Sequence, residues 1–164
     1  MVNKKSLLVD DEKTTRNTTI CVNRSVQFKG QRDIFPDFLV KFVYPDFQII
    51  GLLEYDFKKQ VKPWVHDGQK KEGGMAGTII LSYFEITGVL QNCLGLHDAV
   101  EIRKRNTSLF KDFFGNQIPF FWKSVAENRH GAIYVPYLDN EFTVRWCYVG
   151  GMWRSHYTAM FFDV

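Results

Sequence analysis

Apolar residues in this chain recur at every second position over several stretches, and that period constrains the fold more than any other feature. Phe142, Val144, Trp146 and Tyr148 alternate without a break, and Ile133, Val135 and Tyr137 do so before them. Near the start, Ile20, Val22, Val26 and Phe28 share one parity, interrupted by Arg24. Side chains two apart lie on one face of a β-strand, so each run describes a strand with an apolar side. The same period gives a second strand with Phe38, Val40, Phe42 and Tyr44 inward. It gives a third with Phe47, Ile49, Leu53, Tyr55 and Phe57 inward, joined to the second through Pro45-Asp46. A last strand, Tyr157 to Phe162, follows the Gly150-Gly151 turn.

Between these runs the period changes. Ile79, Ile80, Tyr83, Ile86, Leu90, Cys93 and Leu94 have helical spacing within Thr78 to Leu96, with a strand over Thr78 to Phe84 as the alternative because Gly88 interrupts. Gln60 to Gly74 is rich in lysine and glycine and reads as a loop, and Ala99 to Lys104 reads as a short strand. Ser108 to Phe114 and Pro119 to Asn128 read as helices, each with a glycine beyond its end. A short helix is expected over Leu7 to Val9. The expected fold is a strand-rich α+β single domain over residues 1–164, with 1–17 a loosely attached segment. It comprises an N-terminal antiparallel three-stranded segment, central helices, and a C-terminal three-stranded antiparallel meander.

Composition decides what such a domain can be. The chain holds 15 Phe, 7 Tyr and 4 Trp, 16% of its residues, which excludes a disordered or low-complexity chain. The 21 basic residues exceed the 18 acidic ones by three, too little for a binder held mainly by phosphate charge. Cys21, Cys93 and Cys147 lie far apart without a C-x-x-C pair, which argues against a zinc ribbon and for small buried thiols. His66, His97, His130 and His156 show no metal-ligand spacing. The run from Gly73 to His97 carries Glu85, Gln91 and Asn92 and reads as a buried helix rather than a membrane span. With no signal peptide or transmembrane segment read, an intracellular protein is expected.

One segment carries chemistry. Phe35 to Lys58 places Pro36-Asp37 at the start of the second strand and Asp56-Phe57-Lys58 at the end of the third. If these strands form a hairpin, even positions point inward on one and odd positions on the other. Asp37 then shares an outward face with Glu54, Asp56 and Lys58, and a four-residue loop sets Asp37 opposite Asp56. This motif resembles the PD-(D/E)XK nuclease superfamily over about 25 residues. The resemblance implies Mg²⁺ held by Asp37 and Asp56, Lys58 positioning or activating water, and Glu54 as an accessory acid. The residues admit a second reading, in which Asp37, Lys41, Glu54, Asp56 and Lys58 form a solvated strand face. Without the nuclease reading, no cofactor is expected.

Two other groups suggest contact with partners. Lys58, Lys59, Lys62, Lys70 and Lys71 lie near Trp64 and His66, and Arg103-Lys104-Arg105 form a second basic group; both suit a nucleic-acid partner. Aromatics that break strand parity include Phe113 beside Phe114, Phe161 beside Phe162, and the five that form the expected surface: Trp64, Phe120, Phe121, Trp122 and Trp153. In an adjacent pair such as Phe120-Phe121, one ring faces away from the main core. It covers a second layer, lines a pocket or meets a partner. The principal expectation is a non-catalytic domain that binds a protein or its own copies through those five residues, as a small viral-coat-like β protein would. The nuclease is the alternative, and a carrier of apolar small ligands is a third.

Overall fold

The computed structural model describes residues 18–105 and 107–163; the helix expected over Leu7 to Val9 lies outside the described residues. In chain order the elements are β1 (Thr19–Cys21), β2 (Leu39–Phe42), β3 (Glu54–Asp56), a helical turn α1 (Phe57–Gln60), β4 (Val61–Trp64), β5 (Met75–Ala76), α2 (Gly77–Thr87), α3 (Leu96–Arg103), α4 (Thr107–Phe114), β6 (Ile118–Phe120), β7 (Ala126–Asn128), β8 (Ile133–Leu138), β9 (Val144–Tyr148), β10 (Met152–Trp153) and β11 (Tyr157–Phe162). The class is α+β.

Seven strands form one sheet in the order β2-β7-β8-β6-β11-β4, with β9 also paired to β8. All its pairings are antiparallel except β6 with β11, where Tyr157 lies opposite Ile118 and Ala159 opposite Phe120. β1 pairs with β3 and β5 with β10, each as a separate antiparallel pair.

Two apolar clusters flank the large sheet, because its central strands are covered on both faces. Along β11, Ala159 belongs to one cluster and Met160 and Phe162 to the other. The first cluster receives Ile20, Tyr55 and Phe57, with α3 through Leu96 and Ile102 and α4 through Phe110 and Phe114. The second is closed by Ile80 and Phe84 of α2 and by Trp153 of β10. Successive side chains of a strand point to opposite faces, so a sheet covered on both sides buries even and odd positions alike.

That arrangement corrects several expectations. The first three strand regions do not form a three-stranded segment: β2 pairs with β7, whereas β3 pairs with β1. Phe47 and Ile49 lie in a 3-10 turn, Pro45–Ile49, instead of a strand. On β2 the buried residue is Leu39, while Val40 and Phe38, just before the strand, are about half exposed. At the C-terminal end β8 and β9 pair as expected, but β11 joins β6 and β4 instead of completing a meander. Pro119 to Asn128 is not a helix. It holds β6, a 3-10 turn over Trp122–Ser124 and β7.

The expected loop from Gln60 to Gly74 contains β4, with Pro63 at the sheet edge where its missing N–H is harmless. The expected strand at Ala99 to Lys104 belongs to α3, where burial of His97 and Asp98 beside the apolar residues blunts any amphipathic signal. α2 ends where Gly88 takes the left-handed conformation, φ 70°, so a second helix, α3, starts beyond it. α4 and its following glycine match the expectation. No helix among the described residues is long and apolar enough to cross a membrane.

Candidate functional site

The four residues of the nuclease-like motif do not share one hairpin: Asp37 lies in the turn before β2, Glu54 and Asp56 on β3, and Lys58 on α1. Asp37 precedes β2 and pairs with Arg32 at 2.9 Å, both side chains mostly exposed. Asp56 ends β3 and caps α1. It accepts a hydrogen bond from Thr18 Oγ1 at 2.7 Å and one from the Lys59 amide, and the Thr18 bond chiefly holds its carboxyl below the ordinary value. Glu54 lies beside the Cys21 thiol at the other end of β3. Lys58 is exposed on α1. The hairpin that would set Asp37 against Asp56 is not formed, because β2 and β3 take different partners. Among the described residues, no group of three or more His, Cys, Asp or Glu side chains could hold a metal.

The basic groups are largely engaged in ion pairs. Lys59 faces Asp56, Lys62 faces Asp163, Lys70 faces Asp67, Arg103 faces Asp33 and Lys104 faces Glu101. Lys71 and Arg105 are exposed. Of the cysteines, only Cys93 is buried, where desolvation pushes its thiol up; Cys21 is exposed and Cys147 half-buried.

Four of the five aromatics of the expected surface are interior. Phe120, Phe121, Trp122 and Trp153 are each no more than 1% exposed. Phe120 and Phe121 enter opposite clusters, and Trp153 packs on Phe120 at 4.3 Å and on Trp122 at 4.8 Å between ring centroids. The second ring of the Phe120-Phe121 pair thus covers a second core layer.

Trp64 is the member of that set that reaches the surface. It stacks on Tyr83 of α2, centroids 5.4 Å apart and planes 9° off parallel, with His66 edge-on to both rings. Tyr83 is flanked on the helix by Ile79, 53% exposed, and Ile86, 85% exposed. Residues 79, 83 and 86 follow the i, i+4, i+7 spacing of one helical stripe. α2 is therefore apolar on two sides, with Ile80 and Phe84 inward and Ile79, Tyr83 and Ile86 outward. Its single charged residue, Glu85, accepts a hydrogen bond from the Tyr44 hydroxyl; burial, then Glu85, pushes that hydroxyl up to about 12.

A second grouping has no counterpart in the sequence reading. Arg24, the residue that interrupts the first apolar run, is 4% exposed and keeps the inward parity of its neighbours. Its Nη2 donates to Asp98 Oδ1 at 3.1 Å, and its Nη1 to Oδ2 at 3.4 Å. Asp98 also accepts from the Tyr55 hydroxyl at 2.9 Å and from the Gly95 amide at 2.8 Å, which caps α3. Lys123 is fully buried, and its Nζ donates to the Ile50 carbonyl at 3.1 Å. Desolvation lowers this ammonium from 10.5 to about 8. Gln48 and Ser124 complete the network: Gln48 donates to the Lys123 carbonyl, and Ser124 receives the Leu96 amide. His97 lies 2.9 Å from the Val26 carbonyl, and burial pushes its pKa down. A broken parity that buries a charge implies a distant partner, but the sequence gives no sign that Asp98 is that partner.

Compared with family models, with curated proteins and with solved structures, the chain has no match.

Proposed function

We propose that this is a non-catalytic assembly domain that pairs with a second copy of itself through the outer face of α2. The observation that carries the reading is Ile86, 85% exposed in line with Ile79 and Tyr83 on a helix already apolar inward. A helix with a second apolar stripe besides its buried one calls for a second cover, and in this fold only the inner stripe is covered. Trp64, stacked on Tyr83, extends the patch with a rigid ring of the kind that dominates protein interfaces.

A second copy suits this face because it is nearly uncharged. Ile79, Tyr83 and Ile86 carry no charge, and Glu85, held by the Tyr44 hydroxyl, lies off their stripe, so two α2 helices can meet across a two-fold axis on the uncharged stripe. Pairing through the β4 edge is disfavoured, since Pro63 lacks a donor and Lys62 carries a charge there.

Light scattering across a dilution series tests this. The wild-type chain should self-associate reversibly, and Ile86→Glu should be monomeric with unchanged circular dichroism and melting temperature. A wild-type chain that stays monomeric at the highest concentration at which it is soluble overturns the reading.

A further inference from the structure

Two buried cations, Arg24 and Lys123, share the interior with one carboxylate, Asp98, leaving a positive charge without an anion among the described residues. Backbone dipoles close the deficit. The Ile50 carbonyl accepts from Lys123, and the Leu52 carbonyl accepts from Arg24 Nη2 at 2.6 Å. Both belong to the segment 49–53, whose apolar side chains Ile49, Ile50, Leu52 and Leu53 are 41–67% exposed. Its side chains gain little from this position, and its carbonyls stand over the cations.

Gly51, between the two carbonyls, has φ +118°, which few other residues adopt. A Cβ built there would stand 3.0 Å from Arg24 Nη2 and 3.0 Å from Lys123 Nζ. The two nitrogens are therefore no more than about 6 Å apart, and a single oxygen between them would meet both at hydrogen-bond distance. Arg24 Nε, buried with its side chain, has no hydrogen-bond partner. An open groove lined by Val22, Asn23, Arg24, Ser25, Ile49 and Leu53 borders Arg24 and both ends of the segment.

We propose that Arg24 and Lys123 form a binding site for a small oxyanion, a phosphate or carboxylate group, and that the 49–53 segment covers it when empty. The oxyanion replaces the Ile50 and Leu52 carbonyls, supplies the missing negative charge, and gives Arg24 Nε an acceptor. Opening costs two charge-assisted hydrogen bonds to carbonyls, which the anion restores in stronger form. The site is independent of the α2 surface.

The test is titration of the ¹⁵N-labelled wild-type chain with inorganic phosphate in one arm and acetate in the other, with sodium chloride at matched ionic strength as control. Saturable shifts at Gly51, Leu52 and Lys123, with faster hydrogen exchange at the Val22 amide, which donates to the Leu53 carbonyl, are expected in one arm or both. The stronger arm identifies the group. Lys123→Met should weaken that binding by about tenfold or more, the loss of one charged hydrogen bond. No saturable shift by about 50 mM in either arm overturns the proposal, because a built site for a small anion binds below that range. So do shifts spread over the surface lysines, which the wild-type spectrum reveals without any variant. Equal affinity in Lys123→Met overturns it as well.

Discussion

Two of the arginine–aspartate pairs in this protein, nearly equal in length, could hardly differ more in consequence. Arg32 meets Asp37 at 2.9 Å with 79% and 67% of their side chains exposed, whereas Arg24 meets Asp98 at 3.1 Å with 3% and 0% exposed. In water the first pair exchanges protein contacts for solvent contacts at little net gain. In the interior the second pair cannot do so. Each charge there depends on the other and on the Tyr55 hydroxyl, the Gly95 amide and the Leu52 carbonyl around it. Distance alone therefore says little about an ion pair; what surrounds it sets the energy.

The strongest way to break this comparison is Asp98→Asn. It leaves Arg24 and Lys123 without the one buried carboxylate among the described residues and should cost about 3–5 kcal/mol in urea unfolding, the range for an orphaned buried charge. A loss near zero would mean that water reaches the cluster.

Lys123 sharpens the same point through pH. The ammonium titrates near 10.5 in the unfolded chain and at about 8 in the fold, so the unfolded chain binds more protons between those values. Stability attributable to Lys123 should rise across that window by on the order of 3 kcal/mol, with the full cost present below pH 8. Lys123→Met should remove the slope. The difference between the two chains in urea unfolding at pH 7 and pH 10 measures it.

Asp56→Ala should cost about 1 kcal/mol, since the carboxylate caps α1 and holds Thr18. The cost should be the same with and without Mg²⁺ in thermal unfolding. A loss that appears only with Mg²⁺ would restore the metal role that the PD-(D/E)XK resemblance implies. Smallest of all, Asp37→Asn should change stability by less than about 1 kcal/mol, the range for an exposed pair.

Much of the secondary structure is legible in the residues, for reasons that vary along the chain. β8 and β9 are read correctly because their alternating positions face a core on one side and a thinner cover on the other. α4 is read from its spacing and from Gly115. α3 is missed because it is short and buries His97 and Asp98 beside its apolar residues, so polarity does not mark its outer face. The segment 119–128 is missed because Phe120, Phe121 and Trp122 are all apolar neighbours, and a run apolar at every position is shared by buried strands and helices alike. At the candidate sites, Trp64 was identifiable as off-parity, yet Ile79 and Ile86 pass for core residues until the helix is seen to be covered on one side only.

By itself the sequence determined the α+β class, the aromatic core and most strand positions, since local period and turn residues act within a few positions. Strand partners, the double-sided core and the joining of Arg24, Asp98 and Lys123 were decided only by the tertiary structure. Arg24 meets Asp98 across 74 positions, β2 pairs with β7 from a distant part of the chain, and the double-sided core depends on which face of the sheet is covered. A chain can signal that a charge breaks an apolar face; only the packed fold supplies the charge that answers it.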